Sequence, residues 1–153
     1  MTPVRTRVLI VGTGFAGLGM AIRLKQAGTD DFVVLERAGE VGGTWRDNTY
    51  PGAACDVPSH LYSFSFAPNP GWSRSFSPQA EIQDYLRRTA TDFGVRPHIR
   101  FHHEVLAAHW DDTDRCWRVQ TNRGDFEAPV LISATGALSD PAVPRLPRLR
   151  PAC

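Results

Sequence analysis

Long hydrophobic runs are missing from this 153-residue chain. No apolar stretch approaches the ~20 residues of a membrane span, which argues against a transmembrane helix. Met1 to Arg7 is too short and polar for a signal peptide. Bulk charge is missing as well. Seventeen Lys and Arg stand against sixteen Asp and Glu, a net charge of +1, so no overall field draws the chain to nucleic acid or to a membrane surface. Cysteine is scarce: Cys55, Cys116 and Cys153 are far apart and odd in number. That pattern argues against a disulfide framework and a zinc site, and it suits a reducing cytoplasm. His60 and the pair His102-His103 lack partner spacing for a metal, so no metal site is predicted. Lysine occurs once, at Lys25, among many arginines, which reads as coding bias. There is no internal repeat, and the length suits one domain with a real core.

What is present is concentrated between Arg7 and Glu36. The run Arg7-Val8-Leu9-Ile10-Val11 leads into Gly12-Thr13-Gly14-Phe15-Ala16-Gly17, then a helical stretch to Ala27, a stop at Gly28, and Phe32-Val33-Val34-Leu35-Glu36. That is strand, phosphate loop, helix, strand and ribose acid, in the order a dinucleotide site needs. Gly12 allows the sharp turn out of the strand, Gly14 lets a pyrophosphate approach the backbone, and Gly17 lets the helix lie close to the sheet. The first amides of the helix lack intrahelical partners and sit at its positive end, which favours a phosphate. Glu36 can accept from both hydroxyls of an adenosine ribose and would repel a 2′-phosphate, so FAD or NAD is expected over NADP. Arg37 beside it argues weakly the other way. A lone G-x-G-x-x-G is a weak signal, and an ordinary strand–helix turn is the plain alternative. Here the flanking strand, helix and distal acid all fit.

Helix residues 14 to 27 carry apolar side chains on two faces, Phe15, Leu18, Ala21 and Ile22 on one and Ala16, Met20, Leu24 and Ala27 on another, which predicts a helix buried under other structure. From Arg37 to Ser77 no period is evident. So long an irregular stretch is usually functional or disordered, and its aromatics (Trp45, Tyr50, Tyr62, Phe64, Phe66, Trp72 and Phe76) argue against disorder. Ser77 as cap and Pro78 at the first helical position predict a second helix, through Ile82, Tyr85, Leu86, Ala90 and Phe93, ending at Gly94. A short strand at Ile99 to Phe101 follows, then a three-stranded antiparallel meander from Val105–Trp110, Cys116–Thr121 and Asp125–Ala128. Pro129 breaks it, and Val130 to Ala134 reads as a buried strand ending in Thr135-Gly136. Residues 1–139 are thus one domain, and the Pro/Arg-rich residues 140–153 an extended linker.

Gly42-Gly43-Thr44-Trp45, Tyr50-Pro51-Gly52-Ala53-Ala54-Cys55-Asp56, Ser59, Tyr62 and Ser65-Phe66, closed by Ala134-Thr135-Gly136, form a long ordered match. Over residues 5 to 147 the chain resembles the N-terminal FAD-binding portion of Baeyer–Villiger monooxygenases, within the flavin-containing monooxygenase group. The resemblance implies an α/β fold: a Rossmann-like FAD-binding half-domain of the glutathione-reductase type with a β-meander insert. It implies that Gly12, Gly14, Phe15 and Gly17 cradle the FAD pyrophosphate and that Glu36 holds the adenosine ribose. Gly43, Thr44 and Trp45 would lie along the flavin side, Tyr62 would touch the flavin region, and Val105 would meet the adenine through its backbone. Ala54, Cys55 and Asp56 would lie by the nicotinamide and the reacting flavin edge, with Asp56 the catalytic candidate, and Thr135 and Gly136 would close the cofactor site. The cofactors implied are FAD and, in the full-length family, NADPH; the substrate implied there is a ketone, beside whose carbonyl one oxygen is inserted.

The sequence also departs from the family. Pro141, Pro144 and Pro147 fit a Pro-x-x-Pro-x-x-Pro-Gly segment, but Arg148 stands where glycine is expected. The Phe-x-Gly-x-x-x-His-x-x-x-Trp fingerprint, the second glycine loop for NADPH and the arginine that would pair with Asp56 are absent. The expectation is therefore an FAD-binding fragment that is inactive alone. The alternatives are a non-catalytic flavin- or partner-binding module, complementing a separate NADPH-binding half, and a non-functional remnant. Residue by residue, Asp56 reads as a site residue rather than a turn before Pro58, Trp45 as cofactor packing or as any buried loop tryptophan, and Cys55 as structural, for want of a base. The arginines of the tail lack interleaved aromatics and read as solvated, not as a nucleic-acid surface.

Overall fold

The computed structural model describes residues 2–137. The linker expected at 140–153, with Pro141, Pro144, Pro147, Arg148 and Cys153, lies outside the described residues. In chain order the strands and α-helices are β1 (Val4–Arg5), β2 (Val8–Val11), α1 (Phe15–Gln26), β3 (Phe32–Leu35), α2 (Thr44–Asp47), α3 (Gln79–Asp92), β4 (Ile99–Arg100), β5 (Val105–Asp111), β6 (Cys116–Thr121), β7 (Gly124–Ala128) and β8 (Val130–Ser133), with short 3-10 turns at Ser59–Leu61 and Arg96–His98.

Two four-stranded sheets form. One runs β4-β3-β2-β8 and is parallel throughout; the other runs β1-β7-β6-β5. In the second, the predicted meander is antiparallel, and the short β1, which has no signature in the sequence, adds to it in parallel beside β7. The parallel sheet is the middle layer. Its consecutive side chains point to opposite faces, and both faces are apolar. Ile10, Phe32 and Val34 pack with Leu18, Ala21 and Ile22 of α1 and Leu86 and Ala90 of α3. Leu9, Val33 and Leu35, one residue out of phase, pack on Val119, Phe126 and Ala128 of the meander. Helices, parallel sheet and meander thus make three layers, the Rossmann-like half-domain with its β-meander insert. The near-continuous Val/Ile/Leu runs of β2 and β3 follow from burial on both faces.

Three local expectations are corrected. Ser77 is not the cap of α3: Pro78 holds the N-cap position with no side-chain cap bond, and the Ser77 hydroxyl is buried against that of Ser59, 2.6 Å away. β8 is not a buried strand. It lies at one end of the parallel sheet, among the described residues, and Val130 is exposed. Nor is α1 covered all round, because Leu18, Ala21 and Ile22 are buried while Ala16 and Met20 are exposed. The irregular stretch 37–77 is ordered around its rings, as its composition predicts. Phe64 stacks on Phe66 at 4.9 Å, Phe15 lies 5.0 Å from Phe64, and Trp72 lies 5.5 Å from Tyr85. Tyr50 and Phe76 remain exposed.

The two faces of α1 give a direct check. Ile22→Ala empties a fully buried position and should cost about 2–5 kcal/mol. Met20→Ala on the open face should stay within about 0.5 kcal/mol. Urea unfolding of the two variants measures both.

Candidate functional site

The glycine loop lies where β2 and β8 end side by side. Gly12 has φ +103, and a Cβ there would stand 2.5 Å from the backbone oxygen of Ala134. A Cβ on Gly17 would stand 1.9 Å from the oxygen of Gly12. Both positions are closed by backbone, so the turn and the approach of α1 to it require bare glycine. Gly14, the N-cap of α1, differs: nothing lies within 4 Å of the place its Cβ would take. Open space therefore adjoins the positive end of a twelve-residue helix, where orphan amides and dipole favour an anion. Phe15 contributes its backbone to this turn, while its ring lies among Tyr62, Phe64 and Tyr85.

A second turn closes on the first. Gly42 N–H donates to the Thr13 carbonyl (3.0 Å), and a Cβ on Gly43 would lie 3.2 Å from Gly14 Cα. Thr44 and Trp45 follow in α2, so the turn that begins α2 lies against Thr13 and Gly14 of the first turn. Two glutamines of α3, unremarked in the sequence, hold this turn from behind. Gln83 Nε2 donates to the Val41 carbonyl (2.7 Å), and Gln79 Nε2 donates to that of Trp45.

Glu36, just beyond β3, is buried. Thr13 donates to its Oε2 through N–H (3.1 Å) and hydroxyl (2.5 Å), Ala38 N–H donates to Oε1 (2.8 Å), and Arg46 Nη1 pairs with Oε1 at 2.9 Å. Burial by itself would lower the Arg46 pKa, but the Asp47 and Glu36 carboxylates around it hold the guanidinium above its ordinary value. Neither Thr13 nor Arg46 is singled out by the sequence. The Glu36 backbone also pairs with Arg100 and His103, which leads the chain into Val105 at the start of β5. On the other flank, Ala134 N–H donates to the Val11 carbonyl, and Thr135 and Gly136 follow directly.

Ala54, Cys55 and Asp56 lie on a separate loop. Ala54 and Asp56 are exposed, whereas Cys55 is buried, its N–H donating to the Ser77 carbonyl. The link to the glycine turns runs through Tyr62, whose hydroxyl accepts from Trp45 Nε1 at 3.0 Å. Burial raises the Tyr62 phenol pKa; the Trp45 bond opposes the rise, and the charges of Cys55 and Asp56 add to it. No ion pair to Asp56 is present among the described residues. Among them there is also no His/Cys/Asp/Glu cluster arranged for a metal, and no helix long and apolar enough to cross a membrane. A surface cleft of about 520 Å³, whose lining includes Asn69, Trp72, Glu81, Asp84 and Arg87, does not include the glycine turns.

The family described as pyridine nucleotide-disulphide oxidoreductase matches residues 9–151. The chain is 61% identical over 143 residues to a Baeyer-Villiger monooxygenase of Streptomyces coelicolor, covering 94% of this chain and 28% of that protein. It superposes on an oxidized steroid monooxygenase bound to NADP with a TM-score of 0.86 at 39% identity, over 92% of this chain and 28% of the other. On OTEMO in complex with FAD and NADP the TM-score is 0.87 at 34% identity, over 96% and 28%. The chain therefore spans about 28% of the length of each of these relatives.

The two tight glycines and the open one should respond differently. Gly17→Ala forces a Cβ into backbone and should cost about 3 kcal/mol or more. Gly14→Ala, at an ordinary φ of −71° with free space around it, should cost no more than about 1 kcal/mol. Thermal unfolding of both variants is the check. Trp45→Phe removes the donor that opposes the rise at Tyr62, so an ultraviolet titration should show that phenol ionising at a still higher pH.

Proposed function

Since the chain belongs to the pyridine nucleotide-disulphide oxidoreductase family, we propose that it is the FAD-binding portion of an NADPH-dependent monooxygenase that inserts oxygen beside a ketone carbonyl. The observation that carries this reading is the open space at Gly14, at the start of α1, with the Gly43 turn packed against the Gly14 backbone and the buried Glu36 carboxylate bonded to the adjoining Thr13. Those residues fit a dinucleotide: bare amides for a diphosphate and an acceptor for a ribose.

In this reading the turn from Gly12 to Gly17 holds the diphosphate through backbone N–H groups, and Phe15 supplies an amide while its ring anchors the helix. Glu36 accepts from the adenosine ribose, and the Val105 backbone meets the adenine. Gly43, Thr44 and Trp45 run along the flavin half, and Trp45 orients Tyr62 through its indole N–H. Thr135 and Gly136 close the site beside Gly12. Bound FAD would supply hydride acceptance from NADPH and the oxygen-transferring chemistry. Asp56, exposed on its loop with Ala54 and the buried Cys55, faces the reacting side and sets its charge there. Residues 1–139 form the FAD-binding domain, followed by the Pro/Arg-rich residues 140–153. The chain carries a single glycine loop of this kind, so by itself it binds flavin without turning over NADPH and ketone. It works in the cytoplasm, with NADPH held by another segment or a separate half.

Titration of the purified chain with FAD, followed by flavin absorbance and fluorescence, tests this. The wild-type chain should bind. Glu36→Ala and Gly14→Val should each weaken binding at least about ten-fold, the loss expected when charged hydrogen bonds or the phosphate's space are removed. Uptake untouched by both substitutions would overturn the reading.

A further inference from the structure

Glu36 is more fully engaged than a ribose acceptor needs to be. A carboxylate has about four lone-pair sites, and four donors meet this one: Thr13 N–H and hydroxyl on Oε2, and Ala38 N–H and Arg46 Nη1 on Oε1. A ribose hydroxyl must therefore displace a donor or share its place. The two backbone amides are fixed by the main-chain turns they belong to. Of the two side chains, Arg46 is the anchored one. Its Nε and Nη2 form a fork with Asp47 at 2.7 and 2.8 Å, and Nη1 also donates to the Glu40 carbonyl at 2.8 Å. Only 15% of the Arg46 side chain and 5% of the Glu36 side chain is exposed, so this cation is the buried counter-charge of the acid. The Thr13 hydroxyl, by contrast, turns about a single bond.

We propose that Arg46 is a positioning residue of the ribose site: held by Asp47 and the Glu40 carbonyl, it fixes Oε1 of Glu36, so that Oε2 is the oxygen that accepts a ribose hydroxyl as the Thr13 hydroxyl turns aside. The inference rests on the FAD reading above and adds a residue to it. Arg46 lies ten positions from Glu36, on the short helix that follows Gly43. It therefore couples the orientation of the ribose acid to the turn that packs against the Gly14 backbone.

Paired nucleotides separate positioning from general stability. ADP and 2′,3′-dideoxy-ADP are titrated into the 153-residue chain by calorimetry, and the ratio of their dissociation constants reports the ribose contact alone. The wild-type ratio should be at least about ten, because a site built to bond a hydroxyl rejects an analogue that lacks it. Arg46→Met should lower the ratio at least about three-fold, and Arg46→Lys should recover part of it. Thr13→Val should keep the ratio or raise it. Equal weakening of both nucleotides by Arg46→Met means loosening of the fold and overturns the proposal, as does loss of discrimination in Thr13→Val. If Arg46→Met does not fold, Asp47→Ala decides. It removes the more exposed partner of Arg46 and should lower the ratio about two-fold; an unchanged ratio overturns the proposal. A wild-type ratio near one overturns this inference while leaving FAD binding standing, whereas a wild-type chain that takes up neither FAD nor ADP overturns both.

Discussion

Everything in this molecule is arranged around one close approach of bare backbone. The oxygen of Gly12 occupies the space where a side chain on residue 17 would begin, and the oxygen of Ala134 closes off residue 12 in the same way. Strand β2, helix α1 and strand β8 therefore meet at one turn with no side chain between them. The start of α1 is aimed past the strand ends, not against them, and its unsatisfied amides face open space at Gly14. Helix polarity alone would not create an anion site there. The absence of three Cβ atoms brings the amides, the Gly43 turn and the strand ends within reach of one another.

The layers on either side hold that turn still. Ile10 and Val34 point to the helices while Leu9, Val33 and Leu35 point to the meander, so the short parallel strands are gripped on both faces. A strand end buried in this way cannot slide without exposing apolar surface. The meander contributes the second grip and delivers Val105 to the Glu36 side of the sheet. Behind the Val41–Trp45 turn, the amides of Gln83 and Gln79 satisfy the carbonyls of Val41 and Trp45 from α3. Long-range hydrogen bonds, not local propensity, thus hold a turn whose residues have no regular repeat.

Glu36 joins the two turns electrostatically. Its carboxylate bonds Thr13 in the first turn and Arg46 just past the second. A buried acid of this kind depends on its counter-charge, since losing Arg46 would leave the carboxylate uncompensated at low dielectric. Glu36, the proposed ribose acceptor, is therefore also a structural node, and its orientation is shared among residues that no ligand need touch.

By itself the amino-acid order determined the succession strand, glycine turn, helix, strand and acid, the second helix with its stop, and the meander with its Asn122-Arg123 turn. Each of these depends on spacing within a few residues: alternation in strands, a three-to-four repeat in helices, and glycine at the turns. It also marked Gly12, Gly14, Gly17 and Glu36 as one set, because they stand at the boundaries of those local elements, whereas Gly43 was reached only through the family resemblance. Only the tertiary structure decided that Met20 faces outward, that Val130 lies on an exposed strand, that Ser77 turns to Ser59 instead of capping α3, and that Val4–Arg5 joins the meander. It alone paired Glu36 with Thr13 and Arg46, and Gln83 with Val41. These outcomes are contacts between residues brought together by the stacking of layers across an aperiodic loop. A one-dimensional pattern carries no distance between such residues, so only the folded chain could choose among the partners.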